Sequence, residues 1–85
     1  MKRYQLELLK NEMNEIERQV FDRIYSHRHV MRRQLVNELG QPATTIDSAI
    51  KNLVLKDVIK KSPGPAEEFD KIFVTQKGFE LASTR

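Results

Sequence analysis

Two stretches with helical spacing are separated by only three residues, Gly40-Gln41-Pro42, and no other feature limits the fold of this chain so tightly. Ahead of the break, Arg32 to Leu39 carries Leu35, Val36 and Leu39 at helical spacing. Beyond it, Ile46, Ala49, Ile50 and Leu53 line one face of a segment running to about Lys56. Gly suits the left-handed residue that ends a helix, Pro is tolerated where the next one starts, and Thr44 or Thr45 supplies capping oxygens. Two amphipathic helices joined through so sharp a turn must bury their apolar faces together.

The flanking segments supply the rest of that core. From Gln5 to Ser26 neither Pro nor Gly interrupts a run of strong helix formers, which predicts one long helix or two abutting ones. Leu6, Leu9, Met13, Ile16 and Val20 follow the 3, 4, 3, 4 spacing of a coiled-coil seam. Val20, Phe21 and Ile24 widen that stripe, as a helix entering a globular core does. Val30 and Met31 suit a very short strand. Val58 to Lys61 and Lys71 to Thr75 are β-branched runs around Ser62-Pro63-Gly64-Pro65, which predicts a hairpin with an extended loop. Gln76 to Ala82 reads as a short closing helix that packs Phe79 and Leu81 on the core. The expected fold class is therefore mainly α with a small β-hairpin, in one domain over 1–85. Its parts are a helical segment at 1–26, a helix-turn-helix at 30–61, a hairpin at 58–75 and a helix and tail at 76–85.

A chain of 85 residues closes only one core. Apolar residues make up 39% and charged residues 32%, which suits an ordinary globular domain. Cysteine is absent, so disulfides, thiolate metal sites and cysteine nucleophiles are excluded. Charges interrupt every apolar run of the N-terminal segment, leaving neither a signal-peptide core nor a span of about 20 residues for a membrane. The expectation is a soluble, cytoplasmic protein with no membrane partner.

The net charge of +3 is unevenly placed. Residues 27–61 hold seven basic groups against three acidic ones, whereas residues 1–26 balance and 62–85 are slightly acidic. A polyanion partner fits this imbalance, and so does a plain solvated surface. The polar face opposite Ile46, Ile50 and Leu53 displays Thr44, Thr45, Asp47, Ser48, Lys51 and Asn52. Short hydrogen-bonding groups with one long cation suit base edges and phosphates in a major groove.

The stretch RRQLVNELGQPATTIDSAIKNLVLKDVIKK resembles the winged helix-turn-helix transcription regulators, with the MarR-like group nearest in look. It is similar to their pattern of Leu-x-x-x-Leu-Gly, a Ser/Thr-rich helix start, an aliphatic core position and Leu-x-x-x-Gly-Leu-Ile before the wing. FVTQKGFELAS looks like their Leu-Thr-x-x-Gly-x-x-Leu segment after the wing. The likeness spans about residues 30 to 83 and lies in the order of elements more than in any one motif. It implies a winged-helix fold with Gln41, Thr44, Thr45, Asp47, Ser48, Lys51 and Asn52 in and around the recognition helix. It further implies Lys60 and Lys61 at the base of the wing, with Arg32 and Arg33 near a phosphate backbone. Three positions depart from the pattern: Met31 stands where a capping Ser or Thr is usual, Asp57 where Gly is usual, and Glu67 and Glu68 at a wing tip that is commonly basic. Carboxylates repel phosphates, so the recognition helix and the Arg32–Arg33 pair are expected to dominate, with the wing tip held away from DNA.

The resemblance implies a sequence-specific double-stranded DNA-binding regulator, a repressor, and the seam Leu6, Leu9, Met13 and Ile16 predicts that it works as a homodimer. Parallel and antiparallel pairings are equally open. The competing reading is a winged-helix module that binds a protein partner at the wing, which the acidic tip favours. No metal, cofactor or enzymatic activity is expected. His27 and His29 lack further ligands, and neither a Gly-rich phosphate loop nor a nucleophile elbow occurs.

Overall fold

Asn14 decides where the first helix of the domain begins. In the computed structural model, which describes residues 8, 11–66 and 69–83, Asn11 and Glu12 are helical, Met13 and Asn14 are not, and α1 runs Glu15–His27. The Asn14 side chain accepts the Glu17 amide at 2.8 Å, and the Glu17 carboxylate accepts the Asn14 amide at 3.3 Å. This reciprocal capping box starts a new helix. Of the two readings, one long helix or two abutting ones, the break at Met13 and Asn14 fits the second, and an Asn-x-x-Glu cap is the reason.

After α1 come β1 (His29–Met31), α2 (Arg32–Leu39), α3 (Ala43–Leu55), β2 (Ile59–Ser62), β3 (Lys71–Val74) and α4 (Gln76–Ala82). Gly40 ends α2 with φ +63, in the left-handed conformation expected of it, and its amide donates to the Val36 carbonyl at 3.0 Å. At the N-terminus of α2, Met31 offers no capping oxygen; instead the Gln34 side chain accepts the Met31 amide at 3.0 Å.

The strands form one antiparallel sheet in the order β1-β3-β2, with His29 opposite Phe73 and Ile59 opposite Val74. Alternation along β3 turns Ile72 and Val74 inward and leaves Lys71 and Phe73 facing out. The hairpin and the short strand at Val30 and Met31 thus form as the sequence predicts.

One core unites these elements. Val20, Phe21 and Ile24 of α1 meet Leu35 of α2, Ile46, Ile50 and Leu53 of α3, and Ile72 of β3. Met13 joins them at 5% exposure and Ile16 packs against their edge. This corrects the assignment of Met13 to an intermolecular seam: leaving the helix before Asn14 lets its side chain fold onto the domain. Phe79 needs a correction too. Leu81 enters the core at 2% exposure, whereas Phe79 stays 38% exposed, its ring 5.9 Å from Tyr25 and 5.8 Å from the Arg28 guanidinium.

Two backbone positions hold the hairpin to the helices. Asp57, with φ +61, takes the conformation in which Gly is usual. It does so because the Asp57 and Val58 amides reach back to the carbonyls of Val54 and Leu53, closing the end of α3. At Gly78 a Cβ would strike the Val58 carbonyl oxygen and come within 2.6 Å of Val74 Cγ1, so α4 packs here on bare backbone.

Candidate nucleic-acid interface

Burial of Ile46, Ala49, Ile50 and Leu53 fixes the roll of α3, and with it which side chains can meet a ligand. Thr44, Asp47, Ser48 and Lys51 fall three and four residues apart on the outward side, and all four are exposed. Thr45 is half-buried on the flank toward α1. Gln41 is half-buried in the turn before Pro42.

Asn52 is exposed on the flank of α3 toward α1, beside Thr45 and Ser48. Its amide Nδ2 donates to Glu17 Oε2 at 2.9 Å, and Lys56 Nζ lies 3.7 Å from Glu17 Oε1. Glu17 is 3% exposed, and the amide and cation from α3 together satisfy its carboxylate. The exposed Asn52 side chain thus ties α3 to α1. Glu17 itself escaped sequence reasoning. Its signal was an acid at the inward spacing Met13, Glu17, Val20, Ile24.

The basic residues divide into paired and unpaired sets. Arg32 is only 17% exposed in its side chain, and its Nε lies 3.5 Å from Asp47 Oδ1. Lys61 Nζ sits 3.6 Å from Asp70 Oδ2. Asp70, at 7% exposure, is the second acid that sequence reasoning missed. Its Oδ1 accepts the Gly64 amide at 2.9 Å and its backbone carbonyl accepts the Arg32 amide at 3.1 Å, joining the wing to α2. Arg33, Lys51 and Lys60 are exposed and form no ion pair with the described residues.

All of these charged groups except Arg33 border an open groove of about 640 Å³ between α3 and β2. Arg32, Asp47, Lys51, Lys60, Lys61 and Asp70 supply its polar rim, and Ile50, Val54 and Leu55 its apolar lining. The groove brings together Asp47 and Lys51 of α3, Arg32 at the start of α2, and Lys60 and Lys61 at the base of the wing. Glu67 and Glu68 at the wing tip and Leu6 and Leu9 of the proposed seam lie outside the described residues.

His27 Nε2 lies 3.1 Å from Glu38 Oε1, which also receives Arg23 Nη1 at 3.0 Å, while the His29 ring packs near Phe73. The two histidines thus serve different contacts. Among the described residues no group of three or more His, Asp or Glu side chains is arranged to hold a metal, and no helix is long and apolar enough to cross a membrane.

No protein-family model and no curated protein matches the sequence. Solved structures do match the fold. A mutant of S. aureus MepR bound to an oligodeoxyribonucleotide superposes with a TM-score of 0.78 at 16% identity, over 91% of this chain and 58% of that one. An E. coli MarR mutant complexed with operator DNA gives 0.75 at 16% identity, over 92% and 55%. A MarR family regulator from Neisseria meningitidis gives 0.75 at 14%, over 89% and 54%. The chain spans a little over half the length of each of these structures. At such low identity the shared property is the architecture: three helices, a three-stranded antiparallel sheet and a closing helix, which is the winged helix-turn-helix fold of the MarR-family regulators.

Proposed function

We propose that the chain is a non-enzymatic regulator of transcription that binds double-stranded DNA in a sequence-specific way, with α3 in the major groove. The observation that carries this reading is the outward stripe Thr44, Asp47, Ser48 and Lys51 on a helix locked to the core, with the exposed Arg33 and Lys60 on neighbouring elements. Hydroxyls and a carboxylate suit base edges, while cations on α2 and β2 suit the phosphates on either side. The oligodeoxyribonucleotide and operator DNA in two of the similar structures support it. The regulator represses by occupying a promoter as a homodimer, its two recognition helices about 34 Å apart in successive major grooves. Leu6, Leu9 and the half-buried Ile16 form the pairing seam.

Anisotropy of labelled duplexes across a salt series tests this. Several neutralised phosphates give a steep fall in affinity with salt, in proportion to their number. Failure to bind any duplex at about 50 mM salt would remove the DNA reading. A second reading, a winged-helix module that docks a protein partner beside the wing, is favoured by one observation: Leu55 is 75% and Val54 40% exposed at the far end of α3. Under that reading the Lys51→Ala variant binds duplexes no differently from the unaltered protein.

A further inference from the structure

We propose that Asp47 is the residue that reads cytosine in the recognised sequence, with Arg32 behind it as the group that makes a carboxylate tolerable on this face. The proposal rests on the reading of α3 as the DNA-facing helix.

An acid in the middle of a DNA-contacting stripe is costly, because the phosphates on both sides of the groove repel it. Asp47 occupies that position, between Thr44, Ser48 and Lys51, with its side chain 48% exposed. Its charge is compensated from inside the protein. Arg32 Nε lies 3.5 Å from Asp47 Oδ1, and the Arg32 side chain is 17% exposed, held at the start of α2 where its backbone amide donates to the Asp70 carbonyl at 3.1 Å. The guanidinium thus approaches one carboxylate oxygen from the domain side. Oδ2 makes no hydrogen bond to a described residue and is available to a donor arriving from the groove.

Base-edge chemistry then selects the partner. Guanine presents two acceptors in the major groove and thymine an acceptor and a methyl, all of which a carboxylate disfavours. Adenine offers an amino donor but sets its N7 acceptor beside it. Cytosine alone offers N4–H with no neighbouring acceptor. The hydroxyls of Thr44 and Ser48 donate or accept and discriminate less. Asp47 is therefore a specificity-determining residue and Arg32 a positioning residue.

A consequence concerns modified DNA. A methyl on cytosine N4 leaves the hydrogen that pairs with guanine and replaces the one that projects into the major groove. The pairing survives, but the donor for Asp47 is gone.

The test selects bound duplexes from a random pool with the intact protein and with Asp47→Ala, then measures both on the selected duplex with and without N4-methylcytosine at the assigned base pair. The intact protein is expected to fix a cytosine in each half-site and to lose roughly tenfold in affinity on methylation, the size of one mismatched pair. Asp47→Ala is expected to lose the preference at that position alone and to ignore the methyl group. Arg32→Ala is expected to weaken all duplexes, and the Asp47→Ala change made in addition is expected to restore part of the loss, which a purely structural role for Arg32 does not predict. The methylation arm uses unaltered protein and stands even if a variant folds poorly. An Asp47→Ala consensus identical to the original, or equal methylation effects on both proteins, overturns the proposal while leaving DNA binding intact. Recovery of no consensus by the intact protein overturns sequence reading by α3 as well.

Discussion

The hydroxyl of Thr75 donates to the carbonyl oxygen of Asp57 at 2.6 Å and accepts the amide of Gly78 at 3.1 Å. One side chain therefore closes the turn after α3 and caps the start of α4, and α3 is fastened to the sheet at its far end. Replacing Thr75 by Val keeps the shape and removes both bonds. The expected loss is about 1–3 kcal/mol, read as a lower urea midpoint with unchanged m-value.

Asp57 carries a left-handed backbone, φ +61, that a side chain disfavours. Asp57→Gly removes that penalty while keeping the Thr75 contact, which is made to the backbone. The variant is expected to gain about 1 kcal/mol, seen as a higher melting temperature. A loss of stability would show that the carboxylate has a role beyond the turn.

The glycines separate two kinds of constraint. A Cβ at Gly78 meets the Val58 carbonyl, whereas one at Gly40 meets nothing within 4 Å and only its φ of +63 objects. Gly78→Ala is expected to cost about 3 kcal/mol or more by forcing α4 off the sheet, and Gly40→Ala about 1 kcal/mol. Chemical denaturation of the pair checks the order.

Glu17 joins α1 to α3 from a buried position, so its removal strands the Asn52 amide and the Lys56 cation. Glu17→Ala is expected to destabilise by about 2–4 kcal/mol, and Glu17→Gln by less, since an amide oxygen still accepts from Asn52. Hydrogen exchange should show faster opening of α3 in the first variant than in the second.

What sequence periodicity exposed was the set of apolar positions and the order of elements. Ile46, Ile50 and Leu53 set the orientation of α3, and that alone put Thr44, Asp47, Ser48 and Lys51 outside. What it concealed were pairings between residues far apart in the chain. Glu17 with Asn52, Arg32 with Asp47 and Lys61 with Asp70 each join separate elements, and charge alone does not say which cation meets which acid. The cap at Asn14 was different, because Asn-x-x-Glu before an apolar run is a local signal, and the reading of the longer window left one helix and two abutting ones both open. The consequence was large: Met13 changed from a surface seam residue into a core residue.

That change narrows the residues on which the proposed homodimer would rest. With Met13 buried at 5% and Ile16 only half-buried, the proposed seam keeps Leu6, Leu9 and Ile16, and Leu8 nearby is 56% exposed. A leucine left in water forgoes roughly 1.5 to 3 kcal/mol, an amount large beside the stability of a small domain. A second copy covers them most simply, since an isologous contact buries the same residues on both chains. Sedimentation of the full chain is expected to give twice the monomer mass at tens of micromolar, and Leu6→Glu with Leu9→Glu to give the monomer with its melting temperature little changed, because Met13 and Asn14 keep α1 in place. The double variant is expected to bind single half-sites weakly and to lose the spacing requirement between half-sites. A full chain that sediments as a monomer at this concentration would remove the homodimer and assign these leucines to another surface.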